Sequence, residues 1–180
     1  MGNDGFILLN FYALIILCIL SGIFFGKKRL HKLEDNTYGM LLIASIITIF
    51  FGLLLGIFFD LDISYKMLSI IIFNKIYLIG LIMTISIFAF YTFCISRSNS
   101  KYFSLIEKIY KILIFINFIV ICFLPLEVSS IENEVITMGL AVNYTYLVFG
   151  ILYVVLFILV ITDLKNIKNK KYIPIILLML

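Results

Sequence analysis

Phe6-Ile7-Leu8-Leu9-Asn10-Phe11-Tyr12-Ala13-Leu14-Ile15-Ile16-Leu17-Cys18-Ile19-Leu20-Ser21-Gly22-Ile23-Phe24-Phe25 is a nearly unbroken apolar run, and Gly26-Lys27-Lys28-Arg29-Leu30-His31-Lys32 closes it with positive charge. About 20 residues at 1.5 Å per residue match the ~30 Å hydrocarbon core of a bilayer. A cleaved signal peptide would carry its positive charge before the apolar core and small residues after it. Here Asp4 precedes the run and the basic cluster follows, so the segment reads as a true membrane span.

Working outward, the same pattern recurs. Further spans are expected at about Gly39–Phe59, Lys75–Ile95, Ile109–Leu126 and Met138–Thr162. Tyr172–Leu180 opens a sixth with only about nine of the ~20 residues that a crossing needs. The expected fold is therefore an all-α, integral membrane helical bundle. It has five complete spans and a truncated sixth, forms one membrane-embedded domain over residues 1–180 with no soluble domain, and reads as a fragment, the front end of something longer. Composition agrees: the chain is 64% hydrophobic and 13% charged, with a mean hydropathy of +1.21, well outside the soluble range. A barrel would show ten-residue alternation instead. Abundant Ile, Phe, Asn, Lys and Tyr without Trp suggest an AT-rich bacterial genome.

Loop charges set the orientation. Basic residues follow the first span (Lys27 to Lys32), the third (Arg97, Lys101, Lys108, with Lys111) and the fifth (Lys165, Lys168, Lys170, Lys171). Twelve of the 14 Lys and Arg thus fall on one side, Lys66 and Lys75 being the exceptions. The other side carries Asp4, Asp60, Asp62, Glu127, Glu132 and Glu134. Positive loops stay cytoplasmic, so the N-terminus is expected outside, in a bacterial cytoplasmic (inner) membrane. The net charge of +4 sits in these short loops and is no signal for nucleic acid. The outer segment of about Glu127 to Thr137 is too short to fold alone.

Apolar pairing does not drive helices together in lipid, so small and polar residues should mark packing faces. Ser45, Thr48, Gly52 and Gly56 fall along one side of the second span, and Gly22-x-x-x-Gly26 does the same in the first. Packing within the chain is the expected use of both. On the fifth span Asn143, Tyr146, Gly150 and Tyr153 share a face, with Gly150 as a recess between two phenols. That face is either a ligand pocket in the outer half of the bundle or ordinary interhelical bonding. Tyr144 points elsewhere and is expected to be silent. Lys75, beside Asn74 at the outer boundary of the third span, either snorkels or binds an anion or pairs with Glu127 or Glu134. Asn117 in the fourth span is a further ligand-binding candidate.

Catalytic chemistry is missing from the pattern. The single histidine, His31, cannot build a His-based metal site, and no metal or other cofactor is expected. No H-E-x-x-H, G-x-S-x-G, P-loop or G-x-G-x-x-G occurs. No Asp or Glu falls inside the expected spans, which removes the usual relay of an ion-coupled transporter. Cys18, Cys94 and Cys122 lie in or at the ends of different spans and read as small apolar packers.

Three stretches resemble the multi-span sensory regions of bacterial sensor histidine kinases, particularly those of AT-rich Firmicutes. They are Phe24-Phe25-Gly26-Lys27-Lys28-Arg29-Leu30-His31-Lys32-Leu33-Glu34-Asp35-Asn36-Thr37-Tyr38-Gly39, Glu132-Asn133-Glu134-Val135-Ile136-Thr137-Met138-Gly139-Leu140-Ala141-Val142-Asn143-Tyr144 and Lys165-Asn166-Ile167-Lys168-Asn169-Lys170-Lys171-Tyr172-Ile173-Pro174. The resemblance rests on loop wording, not on catalytic motifs. It implies signal transduction in a two-component system: a parent with a cytoplasmic kinase core, a homodimer formed through that core, and a response regulator as partner. Beside the lipid bilayer, a small-molecule ligand is then an expected partner. A small solute-binding transporter subunit of about six spans is the alternative, and a structural membrane subunit a third.

Overall fold

The computed structural model describes residues 3–26, 33–59, 67–97, 103–131 and 134–163. In chain order these form α1 (Asn3–Gly26), α2 (Leu33–Phe59), α3 (Met67–Arg97), α4 (Phe103–Phe123), β1 (Glu127–Ile131), β2 (Glu134–Met138) and α5 (Leu140–Asp163). The described residues are helical apart from one hairpin and the turns that flank it. Among the described residues four helical stretches are long and apolar enough to cross a membrane: Gly5–Gly26, Leu33–Phe58, Leu68–Ile95 and Leu140–Thr162. This is the pattern of a multi-pass membrane protein.

Each helix lies antiparallel to its neighbour in the chain. Phe24 of α1 packs on Tyr38 of α2 with ring centroids 4.7 Å apart. At the other end of the same pair, Gly56 faces Phe6 and Ile7. Tyr38 also meets Tyr91 of α3 at 5.5 Å, and Phe58 stacks on Phe73 at 5.0 Å. Phe93 of α3 stacks on Phe103 of α4 at 5.6 Å, while Lys75 reaches Cys122 at the far end of that pair. The helix ends that adjoin the first two basic stretches therefore lie together. The hairpin and the start of α5 lie at the opposite end.

Helix α3 is the centre, packing against α2, α4 and α5, whereas α1 packs mainly on α2. Half of the membrane-length window of α3 is buried, against 6% of that of α1. The core consists of Leu78, Ile82, Ile85 and Ala89 of α3, Ile121 of α4, and Ala141, Val148, Leu152 and Leu156 of α5. Between α1, α2 and α3 the backbones approach where side chains are small. A Cβ on Gly52 would fall 2.9 Å from the Tyr77 ring, and one on Gly56 would fall 2.7 Å from Ile7. Gly80 is tighter still, with Thr48 Oγ1 at 2.6 Å. Thr48 then shares a 3.1 Å hydrogen bond with Thr84 across the α2–α3 seam. The Gly52-x-x-x-Gly56 face thus packs within the chain, as expected. Gly22 and Gly26 do not, since a Cβ on either would meet nothing within 4 Å.

Several expected boundaries move. Helix α2 begins at Leu33 and not at Gly39, because Glu34 and Asp35 suit the positive end of a helix dipole. Helix α3 begins at Met67, which puts Lys75 two turns inside it. Helix α4 begins at Phe103 and so contains Glu107, Lys108 and Lys111. Glu107 and Lys111 form an i,i+4 ion pair at 2.7 Å. Glu107 lies in the second turn of α4, ahead of the expected span 109–126. With those charges α4 is not among the four candidate spans. Its full 21 residues would reach about 31 Å, but its uncharged stretch 112–123 covers only about 18 Å.

The expected outer loop is a hairpin that pairs Glu127 with Met138 and Ile131 with Glu134. It packs against α3 and α5 rather than standing alone. Gly139, at φ +118°, turns β2 into α5, so Met138 ends the strand instead of starting the helix. A Cβ there would crowd the Pro125 carbonyl at 3.0 Å, and that carbonyl accepts from Ala141 N at 3.2 Å. The partial sixth span, Tyr172–Leu180, lies outside the described residues.

Candidate functional site

Two polar contacts converge on the last two turns of α4. The C-terminal carbonyls of a helix have no partner within it and carry the negative end of its dipole. Lys75 Nζ donates to one of them, Cys122 O, at 2.8 Å. Its half-buried side chain therefore ends on a helix terminus. Among the described residues this is a helix cap and not an ion pair with Glu127, and the side chain of Glu134 lies outside them.

From the other side comes Tyr144 of α5, whose hydroxyl donates to Asn117 Oδ1 at 2.5 Å. Asn117 is 4% exposed, so the bond is made in a dry interior where an unmatched amide would be costly. Asn74, next to Lys75, is buried to the same degree. The hairpin completes this end: Leu126 is buried, and Val128 packs against the core.

The candidate residues divide into two groups. Lys75 bonds the end of α4 at Cys122 O, and Asn117, within α4, bonds Tyr144 of α5. Asn143, Tyr146, Gly150 and Tyr153 do share one face of α5, but it is turned away from the core. Tyr146 is 73% and Tyr153 43% exposed, and a Cβ on Gly150 would meet nothing within 4 Å. The expected recess at Gly150 is thus an open outer surface. The inward stripe of α5 is Ala141, Thr145, Val148, Leu152 and Leu156, all under 9% exposed. Tyr144, expected to be silent, is the tyrosine that reaches the bundle interior. The available signal was Asn117: an amide within the C-terminal half of α4 needs a partner from α5, and Tyr144 faces α4 where Tyr146 does not.

The remaining polar atoms of the helices mostly bond their own backbone, as Thr145 does to Ala141 O at 2.8 Å and Thr92 to Phe88 O at 3.0 Å. An open apolar groove of about 570 Å³ runs between α1 and α2, lined by Ile7, Leu8, Phe11, Leu53 and Ile57. Among the described residues no three His, Cys, Asp or Glu side chains come together as a metal site. What the Lys75–Cys122 and Tyr144–Asn117 bonds do is tie α4 to α3 and α5 at one end of the bundle. No protein-family model, curated protein or solved structure matches this chain.

Proposed function

We propose that the chain is a membrane sensory domain, the front end of a two-component sensor histidine kinase of the bacterial cytoplasmic membrane. Its N-terminus lies outside and its basic loops lie in the cytoplasm. A stimulus at the outer end changes how α4 and α5 sit on α3, and the change passes along α3 and α5 to the cytoplasmic side. A homodimeric kinase core and its response regulator receive it there. The stimulus acts by binding two helix arrangements with different affinity, since equal affinity would shift nothing.

The carrying observation is the set of exchangeable polar bonds from Lys75 and Tyr144 to α4, placed at the end opposite the basic stretches. Loop charge supports the orientation, and the loop resemblance supports the kinase. The test uses the native polypeptide that contains residues 1–180, in membrane vesicles supplied with γ-labelled ATP. Acid-labile, base-stable label on histidine, altered by Lys75→Met, is the expected result. Absence of phosphohistidine, with vesicles that accumulate a solute instead, would favour the transporter subunit.

A further inference from the structure

We infer that the Lys75–Cys122 and Tyr144–Asn117 bonds are a two-point latch, and that the outer half of α4 swings away from α3 and α5 when either is released. Helix α4 is the least secured of the four helices after α1. Apart from Asn117 and Ile121, its outer half turns apolar side chains outward: Phe115 is 63%, Ile116 51% and Phe123 85% exposed. Its contacts with α5 are sparse. The inner half is held differently, by stacked rings, with Phe93 on Phe103 at 5.6 Å and Phe90 beside Tyr110 at 5.4 Å.

One end of α4 is therefore fixed by aromatic packing and the other by two polar bonds and the single buried side chain of Ile121. Those bonds come from different helices and approach different atoms, a backbone carbonyl and a side-chain amide. Such an element pivots about its packed end. The exit from α4 is built to follow the motion. Leu124 N continues the helix to Val120 O at 3.0 Å, and Pro125 O then ties the chain to Ala141 N at 3.2 Å. Movement of the α4 tip thus pulls directly on the first turn of α5. The latch is a property of the helices and holds whether they serve a kinase or a transport path.

The experiment is a pair of spin-label distances on the whole chain in lipid nanodiscs, with the native cysteines replaced by alanine. Labels at the exposed positions Phe118 (α4) and Ile47 (α2) report the swing, and labels at Ile16 (α1) and Met83 (α3) report the scaffold. The parent should show one main Phe118–Ile47 distance, with a longer minor population of about 1%. Lys75→Met and Tyr144→Phe should each raise that population about fivefold, the effect of one lost hydrogen bond, while Ile16–Met83 stays unchanged. Lys75→Arg, which keeps the donor, should restore the parent distribution. An unchanged Phe118–Ile47 distance in both variants overturns the latch. So does equal broadening of both pairs, which would make these bonds part of general stability.

Discussion

Replacing Gly80 by alanine tests whether the helices are held by close backbone approach. A Cβ there would stand 2.6 Å from Thr48 Oγ1, 3.2 Å from Thr48 Cβ and 3.3 Å from its Cα. Rotating Thr48 relieves the first contact but breaks its 3.1 Å bond to Thr84 and its 2.8 Å bond to Ala44 O. The contact with Cα is to backbone, so only separation of α2 from α3 relieves it. Over-packing of this kind costs about 1–3 kcal/mol, and a membrane hydrogen bond contributes ~0.6 kcal/mol on average. Alanine returns up to about 1 kcal/mol in helix propensity. The net expectation is a loss of ~1–2 kcal/mol. Gly150→Ala is the matched control: its Cβ meets nothing within 4 Å, so it keeps the propensity gain and should be stabilising by ~0–1 kcal/mol. Reversible unfolding of both variants in bicelles, by titration with a denaturing detergent, measures the difference. Two variants agreeing within about 0.5 kcal/mol would refute the close α2–α3 approach, because surface-type changes alone fall in that range.

Other substitutions probe the remaining contacts. Tyr144→Phe leaves Asn117 Oδ1 without its 2.5 Å donor and should cost ~1 kcal/mol; Tyr146→Phe, on the outer face, should cost nothing measurable in the same titration. Gly139→Ala forces a side chain into φ +118° and against Pro125 O, for a loss of ~1–3 kcal/mol, and should raise amide exchange through the hairpin and the first turn of α5 ahead of the other helices.

The helices were legible because apolar runs bounded by charge leave few alternatives in lipid, and α1, α2, α3 and α5 lie where those runs lie. Their starts were less legible. Leu33 to Tyr38 is a polar first turn and a half that hydropathy leaves out, whereas Met67 to Asn74 is itself apolar and was lost by counting only about 20 residues back from Arg97. The hairpin did leave a signal, the β-branched residues of Val128, Val135, Ile136 and Thr137 around Glu132-Asn133. Facing was the hardest property to read. In a soluble helix the apolar side is the buried side, but lipid makes the outer surface as apolar as the core. Grouping Asn143, Tyr146, Gly150 and Tyr153 identified one face of α5 without identifying which way it points. Small residues were the better guide: Thr48, Gly52 and Gly56 do lie in the seam, since close approach needs them.

The central claim is that the Lys75–Asn117–Tyr144 end of the helices faces outward and the basic ends face the cytoplasm. Single cysteines at Asn133 and at Asn169, in a chain otherwise free of cysteine, test it in intact cells with a membrane-impermeant thiol reagent. The account predicts labelling at position 133 and protection at position 169 until the membrane is permeabilised. Labelling at 169 with protection at 133 would invert the protein and place the latch in the cytoplasm.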